Sequence, residues 1–126
     1  MDDCLIVTRG LTRRFGARVA VNELNLEVPA AGFYGFLGPN GAGKTTAIRM
    51  LLGLIRPTVG RGSVLGCDIA TQRLELRSRV GFMPEAESIV PGVRGVDLVA
   101  LAGELTGMPR KEAIRRAHEV LSHLGL

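Results

Sequence analysis

Eight consecutive residues, Gly38, Pro39, Asn40, Gly41, Ala42, Gly43, Lys44 and Thr45, follow the pattern G-x-x-x-x-G-K-[ST], and Thr46 continues it. These residue types suit one task, the holding of a phosphate chain. Its several negative charges need donors at close range, and glycines let the backbone curl until successive N–H groups point inward as an anion nest. A helix starting near Lys44 adds its unpaired N–H groups and the positive end of its dipole. Lys44 supplies a flexible point charge for the β- and γ-phosphates of a nucleotide, which makes it a candidate catalytic residue. The Thr45 hydroxyl is a candidate ligand for Mg²⁺, an ion that takes oxygen donors and bridges phosphates. The chain has only two lysines, Lys44 and Lys111, and one of them falls at the lysine of the motif.

Such a loop works between a strand that delivers it and a helix that receives it. Residues 33–37 form a compact apolar run, short enough for a buried strand. Residues 45–54 read as a helix, and Ala47, Ile48, Met50, Leu51, Leu52 and Leu54 leave it apolar on most sides, so it is expected under a sheet. Gly53 weakens its end and Pro57 forbids continuation. Upstream, residues 5–9 and 11–15 read as strands around Gly10. Leu24, Leu26 and Val28 alternate with Asn25 and Glu27, the period of a half-buried strand closed by the turn at 29–32. Downstream, strands are expected at 63–65 and 80–83, with a short helix at 74–79. Two further helices are expected, at 96–105 and after Pro109, and the last carries the stripe Ile114, Ala117, Leu121, Leu124. No other segment obviously supplies a partner for that stripe, which suggests part of a larger domain. The order of elements describes a mixed α/β chain.

Composition sets bounds. The 126 residues are 46% hydrophobic and 4% aromatic without Trp, so the core must be aliphatic. The net charge of +4 is carried by arginines scattered among acids, a mixed-charge surface rather than a nucleic-acid face, and no nucleic-acid partner is expected. Cys4 and Cys67 have no metal-type spacing and are expected as free thiols in a reducing compartment. His118 and His123 are five apart on one helix and do not share a face, so they are expected in solvent. No apolar stretch approaches the ~18 residues that span a bilayer. Work at a membrane would need another chain to hold this one there.

The loop alone does not choose among the families that use it. Its position does more, because the 37 residues before it read as strands. Leu11-Thr12-Arg13-Arg14-Phe15-Gly16, then Val28 to Gly32, then the run from Gly35 to Thr46 resemble the opening of ABC transporter ATP-binding domains. The resemblance continues through Leu51-Leu52-Gly53-Leu54, Pro57-Thr58, Gly60-Arg61-Gly62, Val64 and Gly66, and again at Val80-Gly81-Phe82-Met83-Pro84. It implies a P-loop NTPase core with an N-terminal antiparallel β-subdomain over residues 1–89 and the start of a helical subdomain over 90–126. A plain packed helix pair is the other reading of 90–126.

The resemblance also implies ATP and Mg²⁺ as ligands. It implies a second ATP-binding domain as dimer partner across ATP, a transmembrane permease chain, and a cytoplasmic place at the inner face of the membrane. Phe15 matches the aromatic that stacks on adenine, with Phe where the family usually has Tyr; otherwise it is a core residue at a strand end. Glu85 matches the family's Q-loop glutamine, a candidate catalytic residue and Mg²⁺ ligand; otherwise it is a surface carboxylate. The signature segment, the strand ending in Asp-Glu and the switch histidine that the family places further on are not found. The expectation is therefore a truncated domain that binds ATP without hydrolysing it efficiently. Two alternatives stand beside a transport ATPase: an ABC-type ATPase acting on DNA or the ribosome, and a non-catalytic nucleotide-binding module. The short passage 57–66 argues against DNA-repair types.

Overall fold

A computed structural model describes residues 4–84 and 90–126. It contains two compact units, Met1–Gly81 and Phe82–Leu126.

The first unit is built on a long hairpin. Strand β1 (Cys4–Phe15) turns at Gly16 and pairs antiparallel with β2 (Arg18–Pro29), from Cys4 opposite Pro29 to Phe15 opposite Arg18. The two short strands expected around Gly10 are thus one strand with an irregularity. The register with β2 shifts between Thr8 and Leu11, and the Asn25 side-chain oxygen accepts a hydrogen bond from the Gly10 N–H at 2.8 Å. The hydroxyl of buried Thr8 donates to the Leu24 carbonyl at 2.9 Å, and the Thr12 hydroxyl, also buried, accepts from the Glu23 N–H at 2.9 Å, so neither is left unpaired. Strand β3 (Val59–Val64) joins the other side of β1 and β4 (Cys67–Asp68) joins β3, giving the antiparallel order β2-β1-β3-β4.

Helix α1 (Lys44–Leu51) packs on this sheet. Its Ala47 and Met50 meet Leu11, Val21, Val64, Cys67 and Ile69, with Leu76 from α2 (Arg73–Arg79), in an aliphatic core. Helix α1 is therefore one-sided rather than apolar all round, with Ile48 exposed. Cys67 is a buried free thiol and Cys4 a partly exposed one.

Two expected strands are absent. Residues 33–37 and 80–83 carry no strand, and Phe33 and Leu37 lie in solvent while Phe36 packs against the core. A run of apolar residues becomes a strand only when a neighbour shares its backbone hydrogen bonds. Among the described residues the sheet offers these segments no such neighbour.

In the second unit, α3 (Gly95–Leu105) packs on α4 (Arg110–His123) through Ala100, Ala113 and Ala117, with Val96, Val99, Met108 and Ile114 around them. Ile114 and Ala117 of the expected stripe do have a partner in α3, where small alanines let the two helices approach. Its distal end, Leu124, stays exposed.

Candidate functional site

The loop from Gly38 to Gly43 follows the irregular segment after β2 and enters α1 directly. Gly41 (φ 82°) and Gly43 (φ 92°) both adopt the left-handed conformation that the curl requires. At Gly43 a second constraint applies: a Cβ there would fall inside the van der Waals shell of the Ala20 carbonyl oxygen in β2. Only glycine allows the loop to lie this close to the hairpin. The Ala42 N–H donates to the Pro39 carbonyl at 3.2 Å, closing the turn.

Gly43 is also the residue that caps α1, and it has no side chain to offer. The first N–H groups of a helix have no partner within the helix. Here no side chain caps them and no acidic residue stands in the first turn, so the positive end of α1 is not neutralised locally. The Lys44 ammonium folds back over the loop and donates to the Gly38 carbonyl and, at 2.8 Å, to the Pro39 carbonyl. Both acceptors are neutral, so an anionic oxygen would compete well for this lysine. Thr45 is exposed and Thr46 half-buried on the first turn of α1. Pro39 and Asn40 form the exposed outer part of the loop.

Beside the loop runs a cleft of about 310 Å³, lined by Ala42, Gly43 and Lys44, by Val19, Ala20, Val21, Asn22 and Leu24 of β2, and by Phe36, Leu37 and Ala47. The part played by β2 was not visible in the sequence. Its alternation marks a half-buried strand, and nothing in it tells which distant loop it supports.

Phe15 is not among the lining residues. It ends β1 at the tip of the same hairpin, four positions before Val19, and 47% of it is exposed. That exposure does not suit a core residue. The Arg13 guanidinium lies over its ring, 4.5 Å from the centroid, a contact that spacing alone did not suggest. Glu85 lies outside the described residues. His118 and His123 are exposed, and among the described residues no cluster of His, Cys, Asp or Glu could hold a metal ion.

The family model described as ABC transporter matches residues 21–126. The daunorubicin/doxorubicin resistance ATP-binding protein DrrA of Streptomyces peucetius is 39% identical over 121 residues, 96% of this chain and 37% of the relative. The bacitracin transport ATP-binding protein BcrA of Bacillus licheniformis is 38% identical over 122 residues, 97% of this chain and 39% of the relative. A solved ATP-binding subunit of an ABC transporter superposes with a TM-score of 0.73 at 25% identity, over 89% of this chain and 47% of that one. The chain spans about two fifths of the length of the curated relatives it matches.

Proposed function

The chain belongs to the ABC transporter family, and from that premise we propose that it binds ATP at the Gly38–Thr46 loop as part of the ATP-binding subunit of a transporter. One observation carries the nucleotide reading: the left-handed Gly43, pressed on β2, presents an uncapped helix start and the Lys44 ammonium to the same space. Backbone N–H groups of the loop and of the first turn of α1 hold the phosphates. Lys44 leaves the Gly38 and Pro39 carbonyls for the β- and γ-phosphate oxygens. Phe15, half-exposed at the hairpin tip, stacks on adenine.

The exposed Thr45 hydroxyl at the start of α1 is an oxygen donor of the kind Mg²⁺ takes, and the family resemblance would add Glu85 as a second. An Mg²⁺ held there would neutralise phosphate charge and polarise the γ-phosphoryl group. Glu85 stands where the family has a neutral glutamine, so it would add a carboxylate near the γ-phosphate.

Coupling of ATP to transport requires a permease chain and a second ATP-binding domain across the nucleotide, and these are the partners we propose. Among the described residues no helix is long and apolar enough to cross a membrane. The proposed place is the cytoplasmic face, held by the permease. The 126 residues contain no LSGGQ-type signature and no Asp-Glu pair, so ATP binding without sustained turnover is expected of this stretch alone.

Calorimetric titration of Mg–ATP into the chain tests the nucleotide reading. Saturable binding that Lys44→Ala abolishes is expected. Equal binding by both proteins, or none by either, would contradict it. Co-isolation with a membrane chain tests the transport half, and salt-sensitive capture of nucleic acid instead would favour a soluble ATPase of the same family.

A further inference from the structure

We propose that Arg13 is a positioning residue for the nucleotide base: it covers one face of the Phe15 ring and ties that ring to the segment following α1. This rests on the reading of Phe15 as the base platform. Arg13 and Phe15 are two apart on β1 and so project from one side of it, which brings the guanidinium to 4.5 Å from the ring centroid. The other end of the guanidinium is fixed, because Nη1 donates to the Arg56 carbonyl at 2.9 Å. The Arg13 Nε is buried with no hydrogen-bond partner among the described residues. A charged group accepts that loss only where its remaining contacts compensate, and those contacts are the Arg56 carbonyl and the Phe15 ring face.

The Arg56 carbonyl belongs to the connection that leaves α1. The N–H groups of Leu54 and Ile55 return to the Arg49 carbonyl at 2.9 and 3.3 Å, so this connection continues the last turn of α1. It is sewn to β1 at two further points, Thr58 N–H to the Thr12 carbonyl at 2.8 Å and Arg14 N–H to the Thr58 hydroxyl at 3.0 Å. Arg13 therefore links the helix that begins at the phosphate loop to the ring that meets the base. One face is taken by the guanidinium, so a planar heteroaromatic base stacks on the other, giving the order guanidinium, ring, base. The cation fixes the ring orientation before the base arrives, which lowers the ordering cost of binding.

The test compares Mg–ATP with inorganic tripolyphosphate, which has phosphates and no base. Arg13→Gln is expected to weaken ATP about two- to fivefold, the size of a partly exposed cation–π contact. It should leave tripolyphosphate unchanged. In a Phe15→Leu background the same substitution should have no further effect on ATP. Equal weakening of both ligands, unchanged ATP affinity, or an undiminished effect without the ring would each overturn the proposal. Arg13→Met, which keeps the stem and removes the charge, is read in parallel, so that a folding defect in one variant leaves the other to decide. ATP binding that needs Lys44 but ignores Phe15→Leu would overturn the base platform itself. Binding of neither ligand by the unsubstituted chain would overturn the phosphate-loop reading instead.

Discussion

At the residue scale the site depends on a glycine and a lysine with opposite vulnerabilities. Gly43 is constrained by its backbone, with a positive φ and the Ala20 carbonyl against its α-carbon. Gly43→Ala is expected to cost more than about 2 kcal/mol of stability and to remove nucleotide binding, because relief of the clash must move either the loop or β2. Chemical denaturation reads the first effect and titration the second. Lys44 is constrained only by two hydrogen bonds to loop carbonyls. Lys44→Ala should therefore remove binding while shifting stability by less than about 1 kcal/mol. Phe15→Leu should weaken ATP by about 1 kcal/mol, the worth of a stacked aromatic pair. The loop was legible in the sequence because its chemistry is local: each residue type answers a need of the phosphate chain within eight positions. Arg13 was not legible in that way. An arginine two positions from an aromatic becomes a ring cover only once a strand puts both on one side.

At the element scale the hairpin and α1 explain why the loop has a shape at all. Met50 is fully buried between α1 and the sheet, and Met50→Ala is expected to cost about 2–5 kcal/mol in denaturant unfolding. At the end of β4 the Asp68 carboxylate accepts hydrogen bonds from the N–H groups of Thr71 and Ala70, both at 2.8 Å, and from the Thr71 hydroxyl at 2.9 Å. Those bonds, led by the Thr71 N–H, hold its pKa below the ordinary carboxylate value. A carboxyl whose folded pKa is depressed stabilises the fold above its unfolded pKa. That contribution is lost as pH falls below about 4, through the folded pKa. Asp68→Asn should flatten the pH dependence of stability in that window, read as the denaturation midpoint from pH 6 to pH 3. The helices were legible because their apolar periods and proline boundaries are local. The strands expected at 33–37 and 80–83 were not settled by pattern: their apolar residues are real, and among the described residues no strand pairs with them.

At the scale of the whole molecule, two units have separate cores. The first holds the loop, the hairpin and the Phe15 tip, and its fold follows from β-hairpin register and one amphipathic helix. The second is a helix pair sealed by alanines, with its arginines matched to acids: Arg94 to Asp97, Arg110 to Glu104, and Arg115 and Arg116 to Glu112. Exposed pairs of this kind add little stability, so the pair rests on its alanine contact. Binding of the ATP phosphates by the Gly38–Thr46 loop is a property of the first unit, and thermal unfolding with and without Mg–ATP, with Lys44→Ala alongside, tests it. A ligand that binds only the folded state at a hundredfold excess over Kd adds about 2.7 kcal/mol, which for a chain of this size raises Tm by roughly 10 °C. That rise is expected in the unsubstituted chain and none in Lys44→Ala. A cooperative transition that ATP leaves in place, or raises equally in both proteins, would contradict it.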